Sequence, residues 1–167
     1  IATGSAAAVA GGICAVATMP NTTPPTDSVG NLEDALKRAQ TAVARIYPIG
    51  CVTEGRAGKT LVSIAELARA GAVAFSDDGD PVSDAGVMRT ALEEARRVNR
   101  PIFPHEEVKA LTEGGSMHEG AVSARLGFKG MPAAGEEEMI ARDIDLVRQT
   151  GGPLHIAHIS TAGAVEL

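Results

Sequence analysis

The chain has 167 residues, a formal charge of −6 and 44% hydrophobic residues, of which few are aromatic (2% of the chain). That length suffices for one domain with a sizeable core, here aliphatic and alanine-rich. The acidic balance argues against a general nucleic-acid or anionic-membrane binder, and no apolar run is long enough to span a bilayer. Cys14 and Cys51 are too far apart for a metal knuckle or redox pair, so two buried thiols in a reducing compartment are expected. No basic-then-apolar leader is present, which makes a cytoplasmic location the expectation. Ile1-Ala2-Thr3-Gly4-Ser5 reads like a domain interior, and Gly163 to Leu167 stops inside a starting helix. Residues 1–167 are therefore expected to be the central portion of a single longer domain.

Thr3 to Ala10 reads as a helix closing on Gly11-Gly12, followed by a buried strand from Ile13 to Thr18. Met19-Pro20-Asn21-Thr22-Thr23-Pro24-Pro25 is a rigid polar loop. Asn31 is expected to cap a helix from Leu32 to Ala44, with Leu32, Ala35, Leu36, Ala39 and Val43 inward. Arg45 to Val52 is the second strand, Thr60 to Ala70 a helix, and Ala72 to Ser76 the third strand. Asp84 caps a helix through Val98 with Val87, Met88, Ala91, Leu92 and Ala95 inward. Pro101 to Pro104 is the fourth strand. A glycine-rich excursion at Glu113-Gly114-Gly115 and a short helix near Ala121 to Leu126 follow. Glu136 to Thr150 is a helix with Met139, Ile140, Ile144 and Val147 inward, and Leu154 to His158 is the fifth strand. Ser160 or Thr161 then caps a further helix.

Five strands alternating with helices imply parallel βαβ units, and strands without polar alternation imply burial on both faces. An open doubly wound sheet and a (β/α)₈ TIM barrel both fit, and both gather chemistry at the C-terminal ends of the strands. Polar residues stand at those ends here: Asn21, Thr53, Asp77 and Asp78, His105 and His158. Asp78, His105 and His158 form a carboxylate–imidazole set suited to Zn²⁺ or a similar divalent ion. His155 is expected on the same face as His158 but lower, packed beneath it. His118 is expected to be solvent-exposed or to touch substrate.

Thr53-Glu54-Gly55-Arg56-Ala57-Gly58-Lys59-Thr60 imitates a phosphate-binding loop between a strand and a helix. The phosphate loop needs glycine where Thr53 stands, so nucleotide binding is not expected. Lys37-Arg38 and Arg96-Arg97 read as solvated helix faces, and Glu136-Glu137-Glu138 as an acidic helix start favoured by the macrodipole.

Four stretches together resemble the class I (bacterial-type) dihydroorotases of the amidohydrolase superfamily. They are Met19-Pro20-Asn21-Thr22, Ala74-Phe75-Ser76-Asp77-Asp78-Gly79, Glu113 to Gly120, and His155-Ile156-Ala157-His158-Ile159-Ser160-Thr161. Hydantoinases and allantoinases share single motifs, but they usually place a carboxylated lysine where this chain has Ser-Asp-Asp-Gly. The resemblance implies a (β/α)₈ barrel with one or two zinc ions. It implies reversible cyclisation of the small molecule N-carbamoyl-L-aspartate to L-dihydroorotate in pyrimidine synthesis.

By that resemblance Asp78 takes the place of the bridging lysine, and His105 and His158 are the imidazoles of the second metal position. Asn21 looks like a contact for the substrate carboxylate. The family's first-strand His-x-His pair would precede Ile1, and its general-base aspartate would follow Leu167. Glu106-Glu107-Val108 departs from the usual small residue or Cys followed by Glu-Asp: Glu107 keeps the acid and Val108 replaces the Asp. Pro104 before the histidine is also unusual, and these departures bear on what orients His105. A homo-oligomer is expected. An alternative within the resemblance is a non-catalytic subunit partnering aspartate carbamoyltransferase.

Overall fold

A computed structural model describes all residues, 1–167. Helix α1 (Ala2–Ala10) leads into strand β1 (Ala15–Thr18), and helix α2 (Val29–Ala39) into strand β2 (Arg45–Pro48). The two strands are parallel, in register from Ala15 opposite Arg45 to Thr18 opposite Pro48. Beyond β2 the sheet continues through single parallel bridges, Gly50 to Phe75, Phe75 to Ile102 and Ile102 to Leu154. Hydrogen bonds on both sides of each bridge hold it, such as Phe75 N–H to Pro101 O (3.0 Å) and Phe103 N–H to Phe75 O (2.7 Å). The five segments expected as strands thus lie side by side in chain order, all parallel.

Helices α3 (Ile64–Ala70), α4 (Ala85–Val98) and α7 (Ala134–Thr150) fill the connections. Helix α2 packs on α3, α3 on α4 and α4 on α7. Leu32, Leu67, Met88, Leu92 and Leu146 from this row meet Cys51, Val52, Phe75 and Ile102 of the sheet in one core. Asp84 caps α4 as its position predicts, accepting from the N–H groups of Gly86 (2.7 Å) and Val87 (3.0 Å). The excursion after the fourth segment holds α5 (Lys109–Thr112), β3 (Met117–His118), α6 (Ala121–Leu126) and β4 (Gly130–Met131). Strands β3 and β4 pair in parallel. Helix α8 (Ala162–Glu166) is capped by Thr161, which accepts from Ala164 N–H.

Several local expectations are corrected. Ser28, not Asn31, caps α2; Asn31 lies inside the helix and its amide donates to Pro25 O and Asp27 Oδ1. The helix ends at Ala39, so Val43 leaves the inward stripe and is exposed. Thr60 to Ser63 is not helical, because this stretch pairs back on the preceding loop through Glu54 N–H to Thr60 O and Val62 N–H to Val52 O. Strands β1 and β2 are not buried on both faces. Alternate residues are exposed, including Tyr47, because one sheet face is uncovered at this edge. In α7 the inward row is Met139, Ile140, Asp143, Leu146 and Thr150, with Asp143 in place of Ile144.

Candidate metal centre

The C-terminal ends of the segments bring Asp78, His105 and His158 together. His105 Nδ1 lies 3.3 Å from His158 Nε2, and each of these atoms lies 3.7 Å from Asp78 Oδ1. A tetrahedral zinc ion with bonds of about 2.0–2.1 Å holds neighbouring ligands about 3.3 Å apart. The imidazole nitrogens stand at that separation, and the Asp78 oxygen lies about 0.4 Å beyond it from each. Asn21 Nδ2 donates to the other oxygen, Asp78 Oδ2, at 2.7 Å. All four residues singled out in the sequence meet at one place.

The neighbouring carboxylate, Asp77, has a different task. It is buried and accepts from the N–H groups of Val52 (2.8 Å) and Thr53 (3.1 Å) and from the Thr53 hydroxyl. Burial nevertheless pushes its carboxyl above the usual range. Asp78 instead turns outward, its own N–H bonded to Ser76 Oγ and its carbonyl accepting from Arg56 Nη1 at 2.6 Å. Arg56 also pairs with Asp80 at 3.3 Å, which fixes the turn from both sides.

Glu107 orients His105. Its Oε2 lies 3.3 Å from His105 Nε2, so a proton on Nε2 leaves the Nδ1 lone pair facing Asp78 and His158. Burial would raise the Glu107 carboxyl, but bonds from Lys109 and Thr112 and the charge of Lys109 hold it below the usual range. Lys109 Nζ also reaches Gly79 O, tying this support to the Asp78 turn. The departure at Val108 thus leaves His105 supported by Glu107 alone.

His158 lies past the Leu154 bridge, on a bend where its own φ is +42°. His155 is not packed beneath it. His155 is exposed and stacks on Phe103 with ring centroids 4.3 Å apart.

A cleft of about 450 Å³ opens beside the cluster, lined by His105, His158, Glu106, Glu107, His118 and Glu136 among others. His118, on β3, is exposed and lines this cleft. Glu106 is buried with both carboxylate oxygens unpartnered. Burial and the charge of Asp143 push it up to about 8, Arg142 offsetting only part. Burial likewise raises Asp143 to about 6 against the Arg142 guanidinium bonded to it. Neither this buried pair nor the contacts of Glu136 is visible in helix periodicity, since their partners come from other elements.

The stretch that imitates a phosphate loop uses up its own amides. Gly55 N–H donates to the Asp27 carboxylate (2.9 Å), Arg56 N–H to Thr53 O, Ala57 N–H to Glu54 O and Gly58 N–H to Thr53 Oγ1. The amides from Thr53 to Gly58 are thus all committed within the protein, and the Asp27 carboxylate already sits on the Gly55 amide.

A parallel α/β sheet thus carries a carboxylate and two imidazoles, a donor set suited to a divalent metal ion, at its strand ends. The sequence profile of the Dihydro-orotase-like family matches residues 1–164. The chain belongs to that family. It is 51% identical over 167 residues to a dihydroorotase of Anaeromyxobacter dehalogenans (strain 2CP-C), covering 99% of this chain and 39% of that protein. It is 50% identical over 168 residues to a dihydroorotase of Syntrophobacter fumaroxidans, covering 100% and 38%. The chain therefore spans about two fifths of the length of these curated relatives. Among solved structures it resembles an L-hydantoinase (dihydropyrimidinase) from Arthrobacter aurescens, with a TM-score of 0.74 at 22% identity, covering 97% of this chain and 38% of that one. It also resembles a D-hydantoinase, with a TM-score of 0.70 at 18% identity. At these identities the structural likeness concerns the fold.

Proposed function

We propose that residues 1–167 are the central portion of a single (β/α)₈ barrel domain of a zinc-dependent dihydroorotase. The reaction is the reversible cyclisation of N-carbamoyl-L-aspartate to L-dihydroorotate. One observation carries the reading: Asp78, His105 and His158, from three separate segments, converge at ligand spacing. The parallel order of all five segments and the family membership support the barrel.

Zinc bound here would polarise the amide carbonyl and make water acidic enough to ionise near neutral pH. This chain's residues hold and aim the centre. Asp78, His105 and His158 are the ligands, Glu107 keeps the His105 proton on Nε2, and the Asn21 amide next to Asp78 meets a substrate carboxylate. His118 faces the same cleft. The general-base aspartate implied by the family likeness lies outside these residues.

The test is carbamoyl aspartate cyclisation by the full-length polypeptide before and after chelation. Activity is expected to vanish on chelation, return with Zn²⁺, and be lost in His158→Ala. Activity indifferent to both treatments refutes the mechanism. Turnover of hydantoin or allantoin without dihydroorotate keeps the chemistry and refutes the substrate. Zinc-free protein that binds aspartate carbamoyltransferase without turnover would instead mark an assembly subunit. Light scattering on the same sample tests the expected homo-oligomer.

A further inference from the structure

We infer that Glu136 is the positioning residue for His158, holding its imidazole on the metal through the bend that follows it; this rests on the metal centre proposed above. His158 is a non-glycine residue with φ of +42°, a conformation that costs of order 1–3 kcal/mol and persists only when its surroundings enforce it. The sheet does not enforce it. The last ladder bond of this segment is His155 N–H to Ile102 O, and no backbone acceptor takes the N–H groups from Ile156 to Ser160. What grips the bend is the Glu136 carboxylate. Ser160 N–H donates to Oε1 at 2.9 Å and to Oε2 at 3.2 Å, and Ser160 Oγ donates to Oε1 at 3.0 Å. Thr161, the next residue, caps α8 and so continues the bend directly into that helix.

Glu136 can serve as an anchor because it sits in the first turn of α7, whose Met139 and Ile140 are buried in the protein interior. Only Ile159 stands between Ser160 and His158, so a shift of the Ser160 N–H moves the His158 ring almost directly. The 3.3 Å and 3.7 Å separations to His105 and Asp78 leave little tolerance for that movement. Glu136 also lines the cleft, where a free carboxylate would itself compete for a metal. Its bonds from the two donor groups of Ser160 take it out of that role.

The experiment titrates chelated full-length protein with Co²⁺, reading both affinity and the visible spectrum of the bound ion. Glu136→Ala is expected to bind about 10–100-fold more weakly with an altered spectrum, as loss of a ligand-orienting partner does. Glu136→Gln retains one acceptor oxygen and is expected to lose about threefold or more, but less than Glu136→Ala. Equal losses in the two variants would make Glu136 a ligand and overturn the positioning role. His158→Ala is the control for the metal centre itself. If it abolishes tight binding while Glu136→Ala binds like the parent, the inference falls and the centre stands. If His158→Ala binds like the parent, the centre falls and the inference with it. Should Glu136→Ala fail to fold, unchanged affinity and spectrum in both Glu136→Gln and Ser160→Ala would overturn the inference.

Discussion

Asp77 and Asp78 are adjacent carboxylates with opposite jobs, and replacing them one at a time separates stability from metal binding. Asp77→Ala leaves the N–H groups of Val52 and Thr53 and the Thr53 hydroxyl without their acceptor in a buried site. A buried donor left unpaired costs about 1–3 kcal/mol. The hydroxyl can rotate away, but the two amides are fixed by the backbone, which gives about 2–6 kcal/mol. Burial already pushes the Asp77 carboxyl upward, so deleting it returns part of a desolvation cost, and about 3 kcal/mol is expected. Asp78 is partly exposed and its one side-chain bond, to Asn21, is at the surface, so Asp78→Ala should cost less than about 1 kcal/mol. Its effect falls on metal affinity, expected to drop more than about tenfold with one of three ligands gone. Urea unfolding of the chelated full-length protein reads the first quantity, and Co²⁺ titration reads the second. An Asp77→Ala protein as stable as the parent, or an Asp78→Ala protein with parental affinity, would refute the division of labour.

Glu107→Ala should weaken Co²⁺ binding about 10–100-fold with little change in unfolding free energy, measured by the same titration, because it frees the His105 ring. Glu106 has a folded-state pKa of about 8 against an ordinary 4.5. A raised pKa means that the folded state holds the proton more tightly, so this stability is complete below about pH 4.5 and is lost as pH rises through about 8. The slope from this one group is at most about 1.4 kcal/mol per pH unit, and Glu106→Gln should flatten it and exceed the parent's stability above that range in urea melts. Gly152→Ala would place a Cβ 2.6 Å from Leu92 O and 2.7 Å from Leu92 Cβ. Backbone would have to move where α4 meets the fifth segment, so a loss of about 1–3 kcal/mol is expected in the same melts. ATP and GTP should give no thermal shift, since the amides from Thr53 to Gly58 are already bonded within the protein.

The sheet order and the four clustered residues were legible because the signal was repetition: apolar runs ending in Asn, Asp or His at regular intervals. Asp84 capping and the α4 stripe were legible because cap chemistry and helical period act within a few residues. What stayed hidden depends on hydrogen-bond partners that apolar periodicity does not encode. Asn31 looked like a cap, yet Ser28 three residues earlier completes the turn and Asn31 ties the helix start to Pro25 and Asp27 instead. Ile144 looked inward, yet Asp143 points in, because Arg142 beside it supplies a partner for the buried charge. Glu136 read as a macrodipole residue, and its partner Ser160 lies outside its helix, past the fifth segment.

Once the bridge row is known, the acids separate by the parity of their distance from the core residues of the sheet. Phe75, Ile102 and Leu154 form one row of bridge partners, and Phe75 and Ile102 are fully buried. Asp78 and His105 each follow their row member by three residues, an odd offset that turns them to the opposite side of extended chain. Asp77 at offset two and Glu106 at offset four return to the core side, and both are buried. His158 breaks the rule, since it follows Leu154 by four residues and parity would send it inward with Glu106. The left-handed backbone at His158 absorbs the extra residue and brings the imidazole round to Asp78 and His105. The strained bend is thus a geometric requirement of a three-ligand site built on this register, which is why an element outside the sheet, the start of α7 with Glu136, has to hold it.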